Sequence, residues 1–291
     1  LALLLAASAA HALSDSEKET LMTAAVEAYE QQDYATALGK WQTLAEAGDA
    51  EAQFLVGRYY MHRDDWANAM PWFDKAAAQG HPKALNNGGI GYMEGRGVRQ
   101  DIEKGCRMME ESYEKMGGTK GAANVAFCND ERHDYGKAIG YYRIAATQGD
   151  RQAQRLLGQM YGSGDGTAKD DVQAVYWLRQ AALQDDAQAL YELGLHYARA
   201  QGVPDNGNKN NFAAYLFMKA AESRQTPADQ KNFARARFAE NLAKLEAAAP
   251  PEERGKLKAL EAAIKDASIH ELLQAIDTLV PYTPPNAHTD K

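Results

Sequence analysis

Small and large apolar positions alternate along this chain in two patterns that take turns. The first appears in QFLVGRYY (53–60), LNNGGIGY (85–92), QRLLGQMY (154–161) and LYELGLHY (190–197), each with a glycine three residues before a tyrosine. AANVAFCN (122–129) is a degenerate copy with Ala126 and Asn129 in those places. The anchor positions are Gly57, Gly89, Ala126, Gly158 and Gly194, and five residues before each stands another small residue: Ala52, Ala84, Gly121, Ala153 and Ala189. Small residues every turn or so let a second helix backbone come close. A glycine inside a helix costs up to about 1 kcal/mol relative to alanine, so its recurrence predicts tight packing that offsets the cost. These segments are predicted helices, type A.

The second pattern follows each of the first. DYATALGKWQTLAEAG (33–48), DWANAMPWFDKAAAQG (65–80), DYGKAIGYYRIAATQG (134–149) and DVQAVYWLRQAALQD (171–185) align without gaps, the last ending one residue early. A small residue (Ala37, Ala69, Gly105, Ala138, Ala174, Ala213) precedes a large one by four (Trp41, Phe73, Met109, Tyr142, Leu178, Phe217). A third apolar or small residue lies seven after the first, from Leu44 to Ala220. That spacing places all three on one helical face and predicts a helix of type B. Asp33, Asp65, Asp134 and Asp171 fit N-caps, and Gly48, Gly80 and Gly149 fit C-terminal stops. Pro71, inside the second B segment, predicts a kink or a late start.

A-x-x-x-L-G-x-x-Y, a Gly-rich loop, D-x-x-x-A-x-x-W and A-A-x-x-G together resemble the Sel1-like repeat, a relative of the tetratricopeptide repeat. EGRGVRQD (94–101) and GSGDGTAKDD (162–171) match its insert loop. The resemblance covers about 21–224 and implies an all-α, right-handed α-solenoid of about six stacked helix-turn-helix units, because one helix pair cannot bury its apolar face alone. We assign the repeat array to 13–225. Thr226-Pro227-Ala228-Asp229 reads as a helix start, Pro250-Pro251 as a break, and Ser268 with Glu271 as a capping box. These elements lack the repeat pattern, so 226–281 is expected to form a helical C-terminal cap and 282–291 a disordered tail.

Charge narrows the partners. The chain carries 32 basic against 40 acidic residues, a net charge of −8, which makes nucleic acid and anionic membranes poor partners. Residues 1–12, LALLLAASAAHA, have the apolar run and A-x-A end of a secretory signal peptide cleaved near Ala12, and no stretch reaches membrane-spanning length. We therefore expect a periplasmic or secreted monomer. Cys106, early in a B helix, and Cys128, late in the next A helix, fall at similar heights if those helices turn back on each other near Gly117-Gly118. An oxidising compartment then favours a disulfide between them.

No motif carries chemistry. No histidine pair has metal-ligand spacing, Gly89-Ile90-Gly91 lies inside a helix rather than after a strand, and the Asp/Asn-rich loops lack the order of a calcium site. Neither a cofactor nor a metal is expected, and an enzyme is not. A partner would meet the positions three before and one after each anchor, which share a helix face rotated away from the core positions. In tetratricopeptide-like arrays that face lines the concave groove. Here it reads Phe54, Arg58, Asn86, Ile90, Phe127, Arg155, Gln159, Tyr191 and Leu195 (with Ala123), a mixture suited to a protein or peptide. The resemblance implies a periplasmic interaction scaffold or regulator. Two alternatives stand beside it: an immunity protein neutralising a type VI phospholipase-type effector, and a cell-wall or β-lactam-binding enzyme, which the absence of a Cys pair in each repeat disfavours.

Overall fold

A computed structural model describes residues 13–203, 210–225, 235–248, 267–279 and 281–285. The described residues form helices and turns, without a strand. The chain divides into two compact units, 1–121 and 122–291.

In the first unit α1 (Asp15–Glu30), α2 (Tyr34–Glu46), α3 (Ala50–Met61), α4 (Trp66–Ala78), α5 (Pro82–Glu94) and α6 (Ile102–Met116) pack each against the next in pairs. The turns between them are short, which makes neighbours antiparallel. The second unit holds most of α7 (Thr119–Glu131), then α8 (Tyr135–Thr147), α9 (Arg151–Ser163), α10 (Asp171–Ala182), α11 (Ala187–Arg199), α12 (Asn211–Ser223), α13 (Arg235–Ala248) and α14 (Ile269–Leu279).

The helix starts follow from side chains that compete for free backbone N–H groups. Asp33, Asp49, Asp65, Asp101, Asp134, Asp150 and Asp186 each accept from the N–H three residues on, a cap worth about 1 kcal/mol. One assignment is corrected: the cap of α10 is Asp170, which accepts from Val172 and Gln173, and Asp171 is the first helical residue. Nor does Pro71 delay α4, which starts at Trp66 and runs through it. Gly48, Gly80 and Gly149 stop their helices at φ +94°, +74° and +89°. Asp185, at the corresponding place of the shorter copy, adopts φ 60° without being glycine.

The anchor glycines lie where another helix presses in. A Cβ on Gly57 would stand 2.7 Å from the Phe73 ring and 3.3 Å from the Ala69 carbonyl oxygen. On Gly89 it would meet Met109 at 2.8 Å and the Gly105 oxygen at 2.9 Å, and on Gly158, Leu178 at 2.9 Å and the Ala174 oxygen at 3.1 Å. The paired positions are those expected from the B pattern, except in the last repeat. There Gly194 faces Met218 and the Ala214 oxygen, one residue on from Phe217 and Ala213; Ala214 and Met218 stand four and eight residues after the Asn210 cap, as Ala69 and Phe73 do after Asp65, so the packing is the same and the expected pairing lay one residue early. A second use of glycine recurs in the insert loops. Gly97, Gly166 and Gly202, all at positive φ, lie so close to the backbone of Trp66, Tyr135 and Asp171 that any Cβ would overlap it. Each loop thus clasps the first turn of the B helix one repeat earlier.

Residues 1–12, with the expected signal peptide, lie outside the described residues, as do the Thr226 helix start and Pro250-Pro251. α13 and α14 contribute Leu242, Leu245, Ile269, Leu272, Leu273 and Ile276 to the same core as α10–α12. The tail assignment is corrected at its start: Tyr282 packs against that core, with the Arg179 guanidinium 4.1 Å from its ring centre. Cys106 and Cys128 are buried, and neither is a free thiol.

Candidate partner-binding site

The expected binding face does not emerge as one open surface. Phe54 is only 3% exposed. Its ring stacks on His81 at 4.8 Å and lies 6.3 Å from Phe73, so it belongs to the core and not to a groove. Ile90 packs half-buried against the same core, and the Asn86 amide, also half-buried, donates to Asn87 Oδ1 at 3.3 Å. Arg58 is half-buried with its guanidinium 5.6 Å from the Phe54 ring centre.

In the second unit the same positions bridge successive A helices. Arg155 Nε lies 3.5 Å from Asp186 Oδ2, and Gln159 Nε2 donates to Glu192 Oε1. Burial pushes the Glu192 carboxyl up to about 7, opposed by the Gln159 hydrogen bond and the Arg155 charge. Tyr191 Oη accepts from Asn241 Nδ2 of α13 at 2.9 Å, and Leu195 packs half-buried on the core. Of the expected large apolar contacts, Phe127 stays open, at 41% exposure. Helical spacing alone placed these residues on one side of each A helix. It could not show that the next A helix, or the cap, takes up that side.

The feature that the sequence reading missed lies at the start of the first unit. Tyr29 of α1, Tyr34 and Trp41 of α2, Leu55, Arg58 and Tyr59 of α3, and His62 and Arg63 just beyond its end line a pocket of about 220 Å³. Tyr29 meets Tyr34 edge-on at 5.3 Å and Trp41 at 5.5 Å. The Arg63 guanidinium lies 3.5 Å from the centre of the Tyr59 ring and donates to the Tyr59 carbonyl at 3.1 Å. Trp41 is buried, and its indole N–H finds no acceptor. Tyr29 and Tyr34 are 41% and 39% exposed. No carboxylate lines the pocket, and neither Arg58 nor Arg63 joins an ion pair among the described residues. Of this set the sequence reading named Arg58 alone as a contact residue. Trp41 read as core, and Tyr29 and Tyr34 stand outside the glycine-anchored pattern. The available signal was the run Leu55, Arg58, Tyr59, His62 along one edge of α3.

The family described as Sel1 repeat matches five segments, residues 50–81, 82–115, 123–150, 151–186 and 187–224. Each holds one A helix and the B helix after it, and α1 and α2 precede the first. Among solved structures, c5321, described as a protective antigen present in uropathogenic Escherichia coli strains and displaying an SLR fold, is similar over 94% of this chain, with a TM-score of 0.68 and 22% identity. The match covers 58% of that protein, so the chain spans little more than half its length. A Sel1 repeat protein from Oxalobacter formigenes is similar over 83% of this chain and 98% of its own, with a TM-score of 0.62 and 25% identity.

Proposed function

The chain belongs to the Sel1 repeat family, and from that premise we propose that it is an exported scaffold that binds another protein or a peptide through the α1–α3 pocket. Repeats of this family generally mediate protein–protein interactions. The observation that carries the reading to a place is the pocket's composition: four aromatic rings and two guanidiniums without carboxylate partners. Tyr, Trp and Arg dominate the energetics of protein interfaces because they combine large buried area with directed polar contacts. Arg63 is already held by Tyr59, which lowers the ordering cost of binding. Export rests on the apolar run and A-x-A end of residues 1–12, and two cysteines without a free thiol suit an oxidising compartment. A Cys106–Cys128 disulfide is part of this reading.

A photo-crosslinking residue at Tyr34, in the chain expressed in its own cell, tests the reading. We expect one saturable protein adduct in the periplasmic fraction, lost when Arg58 and Arg63 are both changed to Gln. A crosslinker at exposed Lys244 serves as the control. Equal labelling from both positions, or adducts unaffected by the arginine changes, would overturn it.

A further inference from the structure

We infer that the α1–α3 pocket recognises a carboxylate carried beside an apolar side chain in an acidic peptide segment of the partner. The inference rests on the peptide-binding reading above and specifies the chemistry of its ligand. The nitrogen groups offered as donors are the guanidiniums of Arg58 and Arg63. A guanidinium offers a planar fork matched to a carboxylate. Asp64 and Asp65 follow Arg63 in sequence but do not line the pocket, and Asp65 caps α4, accepting from the Asn68 backbone N–H at 3.3 Å and from the Asn68 side-chain amide at 2.8 Å. In a chain with net charge −8, two guanidiniums lining one pocket without acidic partners form a local reversal of charge.

Size and walls point the same way. About 220 Å³ lies below the range of roughly 300–1,000 Å³ usual for cofactor and drug-sized sites, and suits a single residue. Tyr29, Tyr34, Tyr59 and Leu55 give that residue an apolar wall. The chain itself holds a filled counterpart. In the second unit the Arg179 guanidinium lies against the Tyr282 ring and bonds Asp277 Oδ2 at 2.5 Å, and Asp277 follows the fully buried Ile276. There an arginine–tyrosine cluster is completed by a carboxylate next to an aliphatic residue on a helical segment.

The test uses the full mature chain and three labelled peptides read by fluorescence anisotropy. Acetyl-Glu-Phe-Glu-Leu-amide carries side-chain carboxylates only, acetyl-Gln-Phe-Gln-Leu-amide carries none, and the same Gln peptide with a free end carries a terminal one. We expect a carboxylate-bearing peptide to bind about tenfold tighter than the neutral one, an advantage that shrinks with added salt. The Glu peptide should show it, and an advantage confined to the free-ended Gln peptide would overturn the acidic-segment inference. The Arg58→Gln/Arg63→Gln variant should lose that advantage while keeping its unfolding temperature, and Tyr34→Ala, at an exposed ring, should weaken all three peptides alike. Equal binding of acid and neutral peptides would overturn the carboxylate inference and leave the peptide-binding reading standing. Binding of none of them, with the Tyr34 crosslink also absent, would overturn both. Capture by phosphatidylglycerol vesicles in preference to peptide would overturn the inference in favour of a lipid surface.

Discussion

The first three helices and the last three make opposite use of the same side chains. Around α1–α3, Tyr29 and Tyr34 stand open and Arg58 and Arg63 lack carboxylate partners. Around α12–α14, Tyr215 and Phe217 are buried, and so is Arg179, which is paired with Asp277 and covered by Tyr282. An arginine among aromatic rings can seal an end when the chain supplies the carboxylate, and can await a partner when it does not. The sealed version is incomplete. Arg179 Nη1, Asp277 Oδ1, Tyr197 Oη and Tyr282 Oη are buried without partners, so this contact fixes the cap in place more than it adds stability.

Breaking the sealed end should give the largest effect. Arg179→Met leaves Asp277 half-enclosed without its counter-charge, and we expect a loss of about 3 kcal/mol in denaturant unfolding. The double variant Arg179→Met/Asp277→Leu should recover most of it. An equally low stability of single and double variants would show that the guanidinium acts through packing instead. Next comes Gly202→Ala, which places a Cβ into the Asp171 backbone at a positive φ, with an expected loss of about 2 kcal/mol or more.

Glu192, on α11, sharpens the comparison through pH. Its folded carboxyl titrates about 7 against an ordinary 4.5, so between those values the folded chain holds a proton that the unfolded chain has released. Stability should therefore fall as pH rises from about 4.5 to 7 and level off above. Glu192→Gln should remove that fall and make the variant more stable than wild type at pH 8, by about 2 kcal/mol, with no such gain at pH 4.5. A parallel pH dependence in both proteins would refute the assignment. The smallest effect is expected at the open end. Gly39 lies inside α2 with nothing near its missing Cβ, so Gly39→Ala should stabilise by about 0.5–1 kcal/mol, measured by thermal unfolding, and leave partner crosslinking at Tyr34 unchanged.

Much of the fold was legible because it is written in residue size at fixed spacing. Gly57, Gly89 and Gly158 meet the B-helix residues that the pattern paired with them. The pattern slipped at Gly194, where the residues four and eight after the Asn210 cap, Ala214 and Met218, make the contact and the small-large spacing alone had pointed one residue earlier. It was silent on a polar device used twice. Gln53 donates to the Ala45 oxygen at 3.0 Å while Gln79 donates to the Gly48 oxygen and to Gln53 Oε1. Gln154 and Gln184 repeat this with Ala146 and Gly149. Each pair satisfies helix-end carbonyls that burial would otherwise leave unmet. Its trace in sequence is a glutamine four residues before the anchor glycine, which reads as surface until the neighbouring helix is in place. The candidate site was the least legible part. A helix face can be assigned from spacing, but its exposure depends on what other helices put against it, and the pocket that is open draws on three helices, two of which precede the matched repeats.

The clasps made by Gly97, Gly166 and Gly202 also bear on how such a chain can lengthen or shorten. α4, α8 and α10 are each completed by a loop encoded one repeat later, so the segment that is physically self-sufficient is offset from the segment that recurs in sequence. A gene duplication or deletion cut at the recurring boundary would leave one B-helix start bare or one loop without a seat. Cuts placed in the insert loops, after a clasp and before the B helix that follows it, would keep each clasp on the same segment as its seat and are the joints at which copies can be exchanged.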